Sequence, residues 1–263
     1  MISFQLHMTK KYEREFARIA DAVRAARHVL LMTHENPDED GLGAMLAFAN
    51  YLETAGKQYT AYVIGTPPPR LSLLPKFDRL TSVPPAHADV LLAFDYGSFE
   101  RLKLDKIGAE PSFIITLDHH PQQTQQGNVN ITDPDFSSTC EIAYHFFKAN
   151  GVALTPDIAT CIYAGILADT GGFVHSNTSV EVFRIAAELK ALGVDTEFAA
   201  KRILGLPSPS AARAIGLAYS RLVIDKESGV MYTCLSSREL EEYAATWDEV
   251  GMLVNMMNHI NAE

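Results

Sequence analysis

The residues in this chain most able to do chemistry are carboxylates and imidazoles that recur just past apolar runs. His34, Asp38 and Asp40 lie in Thr33-His-Glu-Asn-Pro-Asp-Glu-Asp40-Gly41. Asp95 follows Leu-Leu-Ala-Phe94; Asp118, His119 and His120 follow Ile-Thr-Leu117; Asp169 opens Asp-Thr-Gly-Gly-Phe173. Oxygen and imidazole ligands without cysteine thiolates suit a hard or borderline divalent ion, Mn²⁺ or Mg²⁺, better than structural zinc. The set also exceeds what one tetrahedral site uses. Two ions about 3.5–4 Å apart, sharing a bridging carboxylate, would need such a set. Singly, each residue has an ordinary explanation. Asp40 is placed to cap a helix, His119 or His120 suits a hydrogen-bonded loop, and Asp169 could end a helix closed by Gly171 or Gly172. Their joint placement is what points to a site.

The elements that must position them alternate between strand and helix. His28–Thr33, Asp89–Phe94 and Ser112–Leu117 are apolar runs of strand length without polar alternation, the pattern of parallel strands buried on both faces. Gln58–Ile64 reads as a further strand. Helices are expected over Tyr12–Ala26, Asp40–Ala55, Ser138–Asn150, Pro156–Asp169 and Ser179–Leu192, with helical sequence continuing to about Ser220. Ser138 with Glu141, and Thr178 with Glu181, have capping-box spacing, which gives both hydroxyl residues a structural role. The fold class is therefore α/β, a parallel β-sheet with helices on both faces. In such a sheet the groups just past the carboxyl ends of the strands share one crevice, so His34, Asp38, Asp40, Asp95 and the Asp118–His120 cluster converge there. Pro37 disfavours helix at Asn36, which makes the stretch from His34 to Asp38 an irregular loop.

Bulk properties narrow the setting. The chain has 263 residues, 47% hydrophobic and 21% charged, enough for one large domain or a medium domain with an appendage. No apolar run approaches the roughly 20 residues that span a bilayer, and the first residues lack the apolar core of a secretory signal. Cys140, Cys161 and Cys234 form no paired motif and read as reduced residues of a cytoplasmic protein. A net charge of −10 argues against long duplex nucleic acid as a partner. Bound cations would offset the aspartates of the site, so a short nucleotide remains compatible with it.

HENPDEDGLGA resembles the first motif of the DHH phosphoesterase superfamily, a His-x-x-Pro-Asp-x-Asp pattern. Asp95 past its strand resembles the second motif, LDHHP the signature that names the family, and ADTGGF the fourth. The likeness covers roughly residues 15–190, with the motifs in order. It implies that His34 and Asp38 hold one ion, that Asp40, His119 and Asp169 hold the other, and that Asp95 bridges them. It further implies that His120 faces the substrate phosphate, that Asp118 orients an imidazole or its loop, and that Gly171 and Gly172 let a phosphate approach. The implied reaction is hydrolysis by a water activated between two metals.

The layout is similar to the short oligoribonuclease (nanoRNase) and 3′-phosphoadenosine 5′-phosphate phosphatase group of RecJ-like enzymes. That likeness divides the chain into a DHH phosphoesterase domain over residues 1–192, a helical linker over 193–221, and a partial C-terminal substrate-binding (DHHA1-like) domain over 222–263. It implies short oligoribonucleotides or mononucleotide phosphates as partners and is compatible with a homodimer. The glycine-rich Gly-Gly-Gly-His motif of that second domain is absent here. Lys201, Arg202, Arg213 and Arg221 form a stretch without acidic residues where a nucleotide backbone could lie. The runner-up is a manganese-dependent inorganic pyrophosphatase, whose Ser-Arg-Lys cluster has its nearest match in Ser236-Ser-Arg-Glu239. A non-catalytic nucleotide-binding protein is the third reading, and it would predict a missing ligand.

Overall fold

The computed structural model describes residues 10–121, 126–205, 207–251, 253–257 and 260. Two compact units, residues 1–203 and 204–263, divide it.

The first unit is built on six parallel strands, β1 (His28–Thr33), β2 (Gln58–Tyr62), β3 (Leu80–Thr81), β4 (Val90–Phe94), β5 (Phe113–Asp118) and β6 (Val129–Thr132), in the order β3-β2-β1-β4-β5-β6. The expected parallel α/β sheet is therefore present. Two of its strands, β3 and β6, escaped the sequence reading. One is two residues long, and the other alternates buried and half-buried positions instead of forming an apolar run.

Residues of β1 alternate between two cores. Val29 and Leu31 face the main one, Leu30 and Met32 a smaller one. The main core is covered by α-helices: α1 (Glu13–Ala25), α2 (Glu39–Thr54), α3 (Thr139–Ala149), α4 (Pro156–Asp169), α5 (Val180–Ala191) and α6 (Thr196–Ile203). On the opposite face Leu102, Leu104 and Ile107, from 3₁₀ turns and their flanks, cover Leu91 and Ala93. Helices thus cover both faces, but unequally.

Within the main core Phe48 of α2 packs at 5.0 Å from Phe94, 4.9 Å from Phe146 and 5.0 Å from Phe147. Such pairs add about 0.5–1.5 kcal/mol each beyond their burial. They fix the end of β4, one residue before Asp95.

One of the two expected caps is present, and the other falls one residue away. Ser138 caps α3 by accepting from Glu141 N at 3.1 Å, while Glu141 Oε2 accepts from Ser137 N at 2.7 Å. For α5 the cap is Ser179, which accepts from Val182 N at 3.2 Å, and not Thr178. Both residues could cap by type, and the path of the entering chain decides between them.

The second unit comprises α7 (Pro209–Ser220), a short antiparallel pair β7 (Val223–Ile224) and β8 (Met231–Tyr232), α8 (Ser237–Tyr243), α9 (Trp247–Val250) and α10 (Leu253–Met257). Its small core gathers Ala211, Ala214, Ile215, Ala218 and Leu240. Helix α6 falls in the first unit and α7 in the second. No helix among the described residues is long and apolar enough to cross a membrane.

Candidate metal centre

The strand order reverses between β1 and β4, the place in an open parallel sheet where the loops diverge and leave a crevice. Three overlapping groups of side chains meet there. His34, Asp38 and Asp95 form one, Asp40, His119 and Asp169 a second, and Asp95, His119 and His120 a third. Within each group one ligand atom per residue lies within 4.8 Å of the others.

Asp95 stands between the first two groups. Its Oδ2 is 3.7 Å from His34 Nε2, and its Oδ1 is 3.7 Å from His119 Nε2. The two oxygens of one carboxylate therefore face opposite sides. Asp95 has φ 48, a left-handed conformation that aspartate tolerates better than most residues. Its N–H donates to Leu117 O at 2.9 Å, which holds this turn at the end of β4. On one side His34 Nε2 lies 3.6 Å from Asp38 Oδ2; on the other His119 Nε2 lies 3.0 Å from Asp169 Oδ2.

Asp38, not Asp40, is the N-cap of α2. Its Oδ1 accepts from Asp40 N and Gly41 N, both at 3.1 Å, and leaves Oδ2 toward His34. The capping explanation for Asp40 is thus corrected, because Asp40 already lies inside the helix. It is fully buried, and its carboxylate accepts from Thr139 N at 2.6 Å and Cys140 N at 2.9 Å, the first N–H groups of α3. A helix N-terminus offers both free donors and a favourable dipole. Gly165 on α4 permits this approach: a Cβ there would lie 2.6 Å from Asp40 Oδ1 and would overlap Cys140 Sγ.

Asp118 ties two loops together. Its Oδ1 accepts from His120 N and His120 Nδ1, each at 2.9 Å, and its Oδ2 accepts from Gly97 N at 2.9 Å. A carboxylate only accepts, so Nδ1 of His120 carries the hydrogen and Nε2 is the nitrogen left to meet a substrate. The His120 side chain is 44% exposed.

Gly171 and Gly172, both at positive φ, close α4. Gly172 N donates to Leu167 O at 2.8 Å and Gly171 N to Ala168 O at 2.9 Å, the two bonds of a Schellman cap. Capping accounts for both glycines, and their N–H groups are committed to the helix end.

Burial and the carboxylates Asp169 and Asp95 hold Asp40 well above the usual carboxylate range, despite its two N–H donors. Burial and the charges of Asp95 and Asp38 do the same to Asp169. For His34 burial works downward, but hydrogen bonds to Asp38 and Asp95 outweigh it and raise the imidazole to about 10. His120 is raised to about 10 by Asp118 and then Asp95. Burial pushes Asp95 upward, yet His120 and His34 outweigh it and hold its carboxyl below the ordinary range.

The donor set fits divalent cations. It consists of hard oxygens and imidazole nitrogens, and the Thr33 hydroxyl at the end of β1 is buried without a hydrogen-bond partner among the described residues. Several contributors escaped the sequence reading. The N–H groups of Thr139 and Cys140 carry no side-chain signal. Arg101 places Nη2 2.7 Å from His34 Nδ1, and His175 Nδ1 lies 3.1 Å from Asp169 O. Neither residue falls at a motif position that would single it out.

Three of the four basic residues of that stretch have a partner within their own unit: Lys201 pairs with Glu197 at 2.6 Å, Arg202 lies over the Phe198 ring, and Arg221 pairs with Glu239. Ser236 forms a capping box with Glu239 at the start of α8, and Arg238 pairs with Glu242 at 3.2 Å. Helix capping thus occupies the segment compared with a pyrophosphate cradle.

A family model described as the DHH family, N-terminal domain, matches residues 28–166. The bifunctional oligoribonuclease and PAP phosphatase NrnA of Thermus thermophilus is 33% identical over 211 residues, 78% of this chain and 63% of that protein. The chain thus spans less than two thirds of that relative's length. A probable protein of the same description from Streptococcus mutans is 28% identical over 94% of this chain and 78% of its own length. Among solved structures, an exopolyphosphatase-related protein from Bacteroides fragilis superposes with a TM-score of 0.86 at 22% identity, covering 95% of this chain and 77% of that one. That likeness is one of fold.

Proposed function

The chain belongs to the DHH family, and we propose that it hydrolyses phosphoester bonds in short oligoribonucleotides and in 3′-phosphoadenosine 5′-phosphate, using two divalent cations, Mn²⁺ in preference to Mg²⁺. The observation that carries this reading is the carboxylate of Asp95, whose two oxygens face two separate His/Asp groups. In the proposed assignment His34 and Asp38 hold one ion, Asp40, His119 and Asp169 the other, and Asp95 both. The substrates follow from the relatives, which are named as oligoribonucleases and PAP phosphatases.

Bound there, the cations would supply Lewis acidity and a water acidified toward neutral pH. The side chains do the rest. Asp40, clamped by two backbone N–H groups, and Asp95, fixed by its left-handed turn, hold their oxygens in place before substrate arrives. Asp118 orients His120 so that Nε2 points away from the carboxylates. As an imidazolium, His120 donates from Nε2 to a phosphoryl or leaving-group oxygen, where negative charge grows. No serine or cysteine nucleophile is required, and Cys140 is a buried thiol that burial and Asp40 push well above the usual range.

Residues 222–263 are read as part of the domain that selects the substrate. Cys140, Cys161 and Cys234 are free thiols, which supports a reducing, cytoplasmic setting.

The test offers the Mn²⁺-loaded protein a labelled diribonucleotide, 3′-phosphoadenosine 5′-phosphate and pyrophosphate in parallel. Turnover of the first two with little of the third is expected. Preference for pyrophosphate would sink the proposal, and metal binding without turnover of any of them would favour a non-catalytic nucleotide-binding protein.

A further inference from the structure

Arg101 lies in the 3₁₀ turn Phe99–Leu102, beyond the motif that carries Asp95. The turn is tied to the loop after β1: Glu35 N donates to Arg101 O at 3.1 Å, and Lys103 Nζ pairs with Glu35 at 3.3 Å. These bonds bring the guanidinium to His34, with Nη2 2.7 Å from its Nδ1 and Nη1 3.5 Å from Tyr96 O.

Hydrogen bookkeeping makes the first contact incompatible with a working site. Glu35 O stands 2.8 Å from the same His34 Nδ1. A carbonyl oxygen accepts only, so it requires a hydrogen on Nδ1; a guanidinium donates only, so it requires a lone pair there. One nitrogen cannot provide both. Only the tautomer with hydrogen on Nδ1 leaves Nε2 bare to face a cation beside Asp38 and Asp95. In that tautomer, and equally in the imidazolium, Arg101 loses its acceptor.

A permanently charged planar fork then sits at the crevice with one long bond to a backbone carbonyl and no carboxylate among its described contacts. Gly97, beside Nη1, has no side chain to fill the space: a Cβ there would lie 3.0 Å from that nitrogen. Two parallel N–H donors match the spacing of phosphoryl oxygens better than any single ammonium does. We propose that Arg101 is a substrate-binding residue that engages the phosphoryl group of the nucleotide once cations occupy the site. It acts on the His34 side of Asp95, while His120 acts from the other. This rests on the phosphoesterase reading above.

The test compares the full chain with its Arg101→Ala and Arg101→Lys variants. Mn²⁺ binding is measured by titration calorimetry without nucleotide, and adenosine 5′-monophosphate is then titrated into each Mn²⁺-loaded protein. Arg101→Ala should bind Mn²⁺ within about twofold of wild type and bind the nucleotide at least about tenfold more weakly, the scale of one lost charged hydrogen bond. Arg101→Lys should fall between the two. Loss of Mn²⁺ affinity in step with nucleotide affinity would overturn the proposal and make Arg101 a support for His34. Wild-type nucleotide affinity in Arg101→Ala would overturn it while the phosphoesterase reading stands. A loaded wild-type protein that binds no nucleotide and turns over no phosphoester would refute both.

Discussion

Replacing Gly165 by alanine tests how the fold builds the buried half of the site. The added Cβ would overlap Cys140 Sγ and sit 2.6 Å from Asp40 Oδ1 and 2.9 Å from Asp40 Cα. Contacts that short do not occur, and the last is to backbone, so α2 and α4 must move apart or Asp40 must leave its position. Overpacking of this kind costs up to about 3 kcal/mol, against a gain of about 1 kcal/mol from replacing glycine inside a helix. The steric cost wins, by about 2 kcal/mol. For a unit of this size each kcal/mol lowers Tm by about 2–4 °C, so a fall of about 4–8 °C is expected in scanning calorimetry with chelator present. Because the displaced atom belongs to a proposed ligand, the weaker Mn²⁺ site should lose about 10–100-fold in affinity, the scale seen when groups supporting a ligand are removed. Gly43→Ala is the control. Its Cβ would meet Cys161 O at 2.7 Å and Cys140 Sγ at 2.9 Å, burdening the same core and pressing on Asp40 only through Cys140. It should lose stability while weakening Mn²⁺ binding less than Gly165→Ala does. If Gly165→Ala melts with wild type and binds Mn²⁺ equally well, the account of how Asp40 is held is wrong.

Three further outcomes follow from the same geometry. Asp95→Asn should abolish hydrolysis and reduce the Mn²⁺ stoichiometry seen by calorimetry, since the amide cannot offer charged oxygens to both groups; an active variant holding two ions would show that Asp95 does not bridge. Metal uptake should release protons. In the metal-free protein His34 holds its proton up to about pH 10 and Asp40 and Asp169 hold theirs above the usual carboxylate range, whereas the ligating forms are deprotonated. Apparent affinity should therefore rise with pH between 6 and 8, about tenfold per unit for each proton displaced. Calorimetry in two buffers of different ionisation enthalpy reads this directly, and identical heats would contradict it. His120→Gln should lower kcat by about 10²–10⁴ with Mn²⁺ affinity little changed, because it removes a proton donor and leaves every proposed ligand. Equal losses in metal binding and in kcat would instead make His120 a ligand, in line with its place beside Asp95 and His119.

Much of the first unit is written locally in its amino acids. Apolar runs such as His28–Thr33 and Val90–Phe94 carry strand length, burial on both faces and the residues that follow them, because a parallel strand's neighbours impose those features on each segment separately. Most of the chemistry-bearing residues were legible for the same reason, since their place past a strand end is a local property, whereas Asp169 ends a helix. What depended on tertiary structure is the roles within that set. Asp38 and Asp40 are equivalent by type and spacing, and only the meeting of α2, α3 and α4 makes one an exposed cap and the other a buried carboxylate clamped by Thr139 and Cys140. The opposed oxygens of Asp95 come from a left-handed turn that aspartate permits but does not demand. Arg101 carries no local signal, because its position comes from a bond between the turn after β4 and the loop after β1. Residue type and strand pattern determine which groups reach the crevice. Burial, backbone direction and contacts between segments distant in the chain decide what each group can hold there.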